Sequence, residues 1–592
     1  MDGVTLLSDL EWHRGLQKWV IHCRLTPELT PSPFVPNTTD WYVMVSPAYP
    51  WGSITFYPAK CDGLVRTFPH QRFNDVGRDE LPWRTGSLCL ETPARSLGRH
   101  GYSIEPFGIE ERLRWHFRRS LSWLEAASRG ELALPGEPFE LPQYPIDGDS
   151  PFSAVFSEST ESFATWMETD EEFGLADFYV LRREINLQVI RTFRTLEGKP
   201  LLTPAWGRSV TKSSSTISHG FWFRLRHIPV LEPWQAPLNW GELRGACMAQ
   251  GIDIDDRLRL AVESVKKKDK LGQIALLGFL IPQTIGEAPE RMHWVALRLP
   301  QLAGTQTQVR GFRKDERWSW KHNREKLLRD AAPVRWIESE NWYPDQLQTR
   351  GRLHMDVTSK KTLLIGAGAL GSPMAELLVR AGLLGMMVGD ADLFKAGNLV
   401  RHTLGLEDLN KFKAEAVAKR LNSLSPFARV EWFNTKFPPS DAGRAVRMNE
   451  YDVVIDCTGD DELLYELSTF EWKGERTFFS ASLSLGVRRV YCFSASGTTF
   501  PHADFRRLIT PWLKRDVEEN SKAELPREGV GCWHPVFPGR ADDVWLLASA
   551  AVKHFEQTVL SPSADSRLVV FEQMMDDGGL FSGVRRIASE EA

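Results

Sequence analysis

The sequence predicts a multidomain chain of mixed α+β and α/β architecture, with a Rossmann-like nucleotide half-site in its last third. Three observations lead there. At 592 residues the chain is too long for a single core. Its first part alternates strand-like runs with proline-rich turns and then enters one long amphipathic stretch. Lys361 to Arg401 reads as strand, glycine turn, helix, strand and acid. We place domain boundaries at 1–135, 136–350 and 351–592.

The half-site opens with the apolar run Thr362 to Ile365, followed at once by Gly366, Gly368 and Gly371 in GxGxxG spacing. Pro373 suits a first helical turn, where its fixed φ and missing N–H cost nothing. A second apolar run, Met386 to Val388, leads to Asp390, placed to take ribose hydroxyls. Glycines at this turn let backbone N–H groups approach phosphate at a helix N-terminus.

Composition narrows the function. A net charge of −5 argues against a general nucleic-acid or membrane-surface binder. No apolar run approaches the roughly 20 residues of a membrane span, and the first residues lack the basic start of a secretory signal. The seven cysteines are scattered, odd in number and without a CxxC pair. This predicts a reducing, cytoplasmic setting with neither a disulfide framework nor a common structural zinc site.

In the first domain the sequence predicts a helix over Leu6–Leu16 and strands at Trp19–Leu25, Trp41–Val45 and Ser53–Tyr57. A long irregular segment follows, from Pro58 to about Gly108, and then a helix from Ile109 to about Ser128, stopped by Gly130. Ile109, Leu113, Phe117, Leu121 and Leu124 form its apolar stripe. The middle domain carries strand-like runs at 178–180, 219–225, 274–281 and 293–299, and helices near 241–248 and 257–265. Lys266 to Lys268 reads as the basic end of the second helix. A strongly charged helix is expected over Asp315–Ala331.

Tyr57-Pro58, His70, Asn74 and Gly86-Ser87-Leu88-Cys89-Leu90 stand in this order within the irregular segment. They resemble the active-site stretch of ubiquitin-conjugating enzymes. The resemblance implies an acyl-carrying thiol at Cys89, with His70 and Asn74 as oxyanion or supporting residues. His70 and Asn74 depart from the family's adjacent His-Pro-Asn. Locally, Cys89 reads equally as a core cysteine in a Leu-Cys-Leu strand.

Beyond Asp390 come Asp392, then Asn398, Leu399 and Arg401, then Lys413 in a helix over Lys411–Leu421, and finally Asp456-Cys457-Thr458-Gly459-Asp460. This succession resembles the ThiF/MoeB activating-enzyme superfamily. The resemblance implies an adenylation domain using ATP and Mg²⁺, with Gly366, Gly368, Gly371, Asp390, Asn398, Arg401 and Lys413 around the nucleotide. It implies Asp460 on the metal, with Asp456 as the alternative because Gly459 stands where the family has its acid. Arg324 or Arg350 would be the arginine reaching in from before the nucleotide core. Cys457 and Cys492 read as core, whereas Cys532, between glycine- and proline-containing turns before a helix near Ala541, reads as a second catalytic cysteine.

The order of these parts resembles the fused conjugating–activating proteins of bacterial CBASS antiphage operons. That resemblance implies a relay. A modifier protein's C-terminus is adenylated, passed to Cys532 and then Cys89, and joined to a target lysine. It implies a cGAS-like nucleotidyltransferase as modifier, a homodimer, and neither nucleic acid nor membrane as partner. A small ubiquitin-like modifier, or a sulfur-carrier adenylyltransferase in which Cys89 is core, are the alternatives.

Overall fold

A computed structural model describes the chain except residues 30–31, 91–104, 107, 147–152, 183–185, 214–216, 266–272, 305–315, 523, 525–526, 529–533, 536–537 and 592. The chain forms two compact units, Met1–Pro204 with Thr216–Asn341, and Ala205–Ser215 with Trp342–Ala592. No helix among the described residues is long and apolar enough to cross a membrane.

The first unit holds two sheets. One is an antiparallel five-stranded sheet in which Val4–Leu6, Lys18–Leu25, Thr39–Val45 and Ile54–Pro58 lie side by side, with Glu11–His13 on Lys18–Leu25. Both faces of Thr39–Val45 are covered. Trp41, Val43 and Val45 enter the main core, whereas Met44 packs with Val20 and Trp83. The helix Ile109–Arg129 covers the main-core face, with Phe117 edge-on to Phe56 at 5.2 Å, and Gly130 closes it in the left-handed conformation. Of the expected stripe Phe117 and Leu124 are buried and Leu113 and Leu121 pack against the core, but the first residue is not and two polar residues join. Ile109 is 67% exposed, while Arg112 and His116 are buried. Arg112 donates to the Pro50 and Gly52 carbonyls, and both residues meet Glu105.

The expected helix over Leu6–Leu16 is instead a pair of short strands. Val4 pairs with Leu25 and Glu11 with Val20. The leucine spacing is helical, yet Leu6 and Leu10 are exposed. Ladder hydrogen bonds to Lys18–Leu25 outweigh a stripe that has nothing to pack against.

The second sheet has eight strands, in the order Ser153–Phe156, Arg335–Asn341, Arg291–Arg298, Ile274–Ile281, Ile217–Arg224, Phe173–Arg182, Leu187–Arg194 and Pro200–Leu202. Ser153–Phe156 also pairs with Leu187–Arg194, so the sheet closes on itself and leaves Pro200–Leu202 outside the ring. The predicted middle-domain strands and the helices Trp240–Met248 and Ile254–Ser264 are present, while Lys266 to Lys268 lie outside the described residues. Only Glu316–His322 of the expected long charged helix is α-helical. It continues as a π turn, Asn323–Leu327, whose buried Asn323 side chain bonds both the N–H and the carbonyl of Ala303. Arg324 pairs with Asp255 within this unit.

The second unit is built on one eight-stranded sheet, in the order Arg429–Phe433, Gly385–Gly389, Thr362–Ile365, Val453–Asp456, Arg476–Leu483, Arg489–Gly497, Arg567–Met575 and Phe581–Glu591. The first five are parallel and the rest antiparallel. Thr362–Ile365 is wholly buried, as a parallel strand covered on both faces requires. Gly371–Arg380, Lys413–Leu424 and Ala541–Leu560 contribute to one core cluster of this unit, and Met448, Leu463 and Phe505 contribute to another. The strand order reverses at Thr362–Ile365, so the carboxyl ends of this strand and its neighbours open a crevice.

Glu158, in the first unit, is buried and receives the indole N–H groups of Trp166 and Trp294 and the Ser162 hydroxyl. Burial pushes its carboxyl up to about 7 from an ordinary 4.5. Between those pH values the folded chain keeps a proton that the unfolded chain has lost, so stability falls as pH rises from about 4.5 through about 7. Denaturant titrations across this range should show that decline in the wild type and a flatter profile in Glu158→Gln.

Candidate functional site

The crevice is a cavity of ≈ 430 Å³ whose walls include Gly366, Gly368, Asp390, Asp392, Lys413, Lys436, Thr458 and Asp460. Two of its three motif glycines are required by the fold. Gly366 has φ +90°, and a Cβ there would lie 2.8 Å from the Cys457–Thr458 peptide. A Cβ on Gly371 would come within 1.8 Å of the Gly366 carbonyl oxygen. A Cβ on Gly368 would meet nothing within 4 Å, so this glycine leaves the space open.

Between them, Ala367 is held at both ends of its backbone. Its N–H donates to Asp390 Oδ2 at 2.8 Å, and its carbonyl oxygen lies 2.6 Å from His402 Nε2. His402 Nδ1 accepts the Leu404 N–H at 3.2 Å, so the ring proton sits on Nε2 and the ring donates to Ala367. Burial holds the His402 imidazole neutral, down to about 4. Sequence reasoning missed this residue. Its only signal was its place directly after Arg401. Asp390 Oδ1 accepts the Asp392 N–H at 2.8 Å, and burial raises the Asp390 carboxyl above its ordinary value.

Lys413 begins the helix Lys413–Leu424 and reaches Asp392 Oδ2 at 2.9 Å. Lys436, also unforeseen, lies on the cavity wall and pairs with Glu462 at 3.1 Å. Asn398 and Arg401 sit on the loop between Asp392 and Lys413 and are not part of the wall. Asn398 Oδ1 accepts the Lys395 N–H at 3.0 Å and so holds a short 3₁₀ turn, and the Arg401 N–H donates to the Asn398 carbonyl.

The two candidate metal acids part company. Asp456 is buried. Its Oδ1 accepts from the Thr458 N–H and hydroxyl, and its Oδ2 from the Ser480 hydroxyl, so it struts the turn from beneath. Asp460 is exposed, lines the cavity and uses Oδ1 to cap the helix Asp461–Thr469. Gly459, with φ +66°, makes the left-handed step between them. Among the described residues no group of three or more His, Cys, Asp or Glu is arranged to hold a metal.

In the first unit, Cys89 is exposed between buried Leu88 and Leu90. The two leucines pack in the core, and the thiol between them faces outward. The Cys89 N–H donates to the His70 carbonyl at 2.9 Å. Gly86 is needed because a Cβ there would stand 2.5 Å from Asn74 Cβ. The Asn74 amide is committed, its Nδ2 donating to the Leu64 and Arg66 carbonyls and its Oδ1 accepting from Arg84 Nε. Asn74 therefore supports the loop and has no free amide hydrogen for an oxyanion. His70 Nδ1 meets Glu140 at 2.9 Å, which raises the His70 pKa.

Cys457 and Cys492 are buried, and burial holds both thiols in the protonated form. Cys61 is the other exposed cysteine among those described, and the Asp62 carboxylate beside it pushes its thiol up. Cys532 lies outside the described residues.

Residues 346–491 match the ThiF family, and residues 130–342 match the Cap2 central linker domain. A crevice of this kind on a ThiF-type sheet, within a fused chain, defines an ATP-dependent ubiquitin-like activating and conjugating enzyme. The chain is 36% identical over 588 residues to the ATP-dependent ubiquitin transferase-like protein Cap2 of Enterobacter hormaechei subsp. hoffmannii, covering 97% of this chain and 96% of that protein. The chain belongs to the Cap2 family. Shorter matches include Cap2 of Escherichia coli, 34% identical over 117 residues, covering 19% of each chain. The adenylyltransferase and sulfurtransferase UBA4 of Yarrowia lipolytica is 32% identical over 111 residues, covering 19% of this chain and 28% of that one.

Lys413→Ala should weaken ATP binding by roughly 10- to 100-fold, the loss of a charge-assisted contact worth about 1.5–3 kcal/mol. Any fall in melting temperature should be small, because Asp392 is largely exposed and only the packing of the Lys413 stem is lost. Isothermal titration with ATP, beside a thermal scan, measures both.

Proposed function

We propose that the chain runs a four-step acyl relay within one polypeptide. A carboxylate oxygen at a modifier protein's C-terminus attacks the α-phosphorus of ATP, and pyrophosphate leaves. The Cys532 thiolate attacks the acyl carbon and AMP leaves. The Cys89 thiolate then takes the acyl group, releasing Cys532. A target amine, usually a lysine, attacks the Cys89 thioester, loses its proton and becomes an amide as the thiolate departs.

The observation that carries this reading is the exposed Cys89 thiol, held outward by Leu88 and Leu90 in a chain that also holds the nucleotide cavity. A core cysteine, as a sulfur-carrier activator would allow, would be buried there like Cys457 and Cys492. In the cavity, Asp390 faces the ribose, the Gly366–Gly371 turn faces phosphate and Lys413 exchanges Asp392 for phosphate oxygens. Arg401, on the neighbouring loop, is the second cation for the triphosphate.

Asp460 would hold Mg²⁺. One exposed carboxylate with phosphate oxygens and water suits this ion better than a closed protein cage. Bound there, Mg²⁺ would offset the charge of the triphosphate. We propose, on the resemblance of the domain order to the fused conjugating–activating proteins of CBASS operons, that the chain acts in that defence, in the cytoplasm and as a homodimer, with a cGAS-like nucleotidyltransferase as the modifier.

The test is an ATP-dependent adduct with that nucleotidyltransferase, sensitive to dithiothreitol. Cys532→Ala should abolish the adduct, and Cys89→Ala should trap it on Cys532. Absence of ATP–pyrophosphate exchange in its presence removes the assignment of this modifier, and an amide product formed by Cys89→Ala removes the relay.

A further inference from the structure

The loop that presents Cys89 is restrained by side chains from outside its own domain. Glu140 lies in the segment matched by the central linker. Its Oε2 sits 2.9 Å from His70 Nδ1 and accepts the His70 backbone N–H at 3.3 Å. His70 has φ +55°, a left-handed conformation unfavourable for a residue with a Cβ. In that conformation its carbonyl receives the Cys89 N–H. A second linker side chain, the buried Gln235, accepts the Thr67 N–H at 3.2 Å. Thr67 Oγ1 in turn accepts the Asn74 N–H, and Asn74 packs on Gly86, three residues before the thiol.

The charges around His70 favour its imidazolium. Glu140 acts most strongly, joined by Glu137 and the Leu132 carbonyl. The His70 Nδ1–H donates to the Glu140 carboxylate, which suits a clamp.

We propose that Glu140 is a positioning residue for Cys89. By holding His70 in its left-handed turn it sets the carbonyl that anchors the Cys89 N–H, so that passage of the acyl group from Cys89 to an amine depends on the linker. Glu140 touches neither the acyl group nor the amine. It acts by keeping the thioester carbon in line for attack, where a small displacement is costly. The inference rests on Cys89 being the acyl-carrying thiol, and the experiment separates the two.

The full-length chain with Cys61→Ala and Cys532→Ala is loaded at Cys89 from a short peptide thioester of 2-mercaptoethanesulfonate. Discharge to free lysine is then followed in a single turnover. Peptide mapping identifies the loaded cysteine. Glu140→Ala should lower the limiting discharge rate about tenfold with the half-saturating lysine concentration unchanged, and Glu140→Gln, which keeps an acceptor oxygen, should restore most of it. ATP binding, located in the other unit, should remain at the wild-type level, and a thermal scan reports the folding of the unit that carries Glu140. Discharge by Glu140→Ala at the wild-type rate overturns the positioning role. So does equal slowing in both variants alongside equal thermal destabilisation. Failure of Cys89 to load in the parent chain instead overturns the reading of Cys89 itself.

Discussion

The peptide unit of Ala367 is bonded at both ends, its N–H to Asp390 and its carbonyl to His402, and the nucleotide cavity depends on this clamp. Asp390 ends the strand Gly385–Gly389, and His402 comes from the loop that also holds Asn398 and Arg401. One residue of the glycine turn therefore locks together the first strand, the second strand and that loop. Burial sustains the arrangement. It keeps His402 neutral and in a single tautomer, so the clamp does not change with pH in the physiological range. Gly366 and Gly371 let the turn fold that tightly, and Gly368 leaves the opening before it.

The same economy appears around the thiol. Leu88 and Leu90 are buried for packing and Cys89 is exposed as a result, while Gly86 allows Asn74 to lie flat against the chain. Asn74 spends its amide on two carbonyls of the preceding loop. The irregular segment thus has little regular secondary structure yet is closely tied down, by hydrogen bonds rather than by a ladder. Some of those bonds come from the linker, and the covalent fusion of the two domains keeps them in reach.

Much of this was legible from local pattern. The apolar runs, the GxGxxG spacing and the acid after the second strand describe a unit of under forty residues whose partners are near in sequence. The apolar flanks of Cys457 and Cys492 announced buried strands for the same reason. Local pattern misled where a distant partner prevailed. Leu6 to Leu16 has helical spacing but pairs as strands with Lys18–Leu25. The charged helix before the second unit gives way to a π turn at Asn323, whose side chain bonds the distant Ala303. The stripe of the helix Ile109–Arg129 packs as expected at Leu113, Phe117, Leu121 and Leu124, but Arg112 and His116 are buried beside it on partners that their polarity would not suggest.

The sequence by itself determined the nucleotide turn and the order of the domains, because each is written in the spacing of neighbouring residues, whereas Leu-Cys-Leu read equally as core and only the tertiary structure turned the Cys89 thiol outward. Only the tertiary structure decided which acid reaches the cavity. Asp456 and Asp460 are equivalent as letters, but Thr458 and Ser480 consume both oxygens of the first, and Gly459 carries the second to the wall. Only the tertiary structure brought His402 to Ala367 and Glu140 to His70. These contacts span 35 and 70 residues, and a hydrogen bond across such a separation exists only once the fold has brought its two ends together.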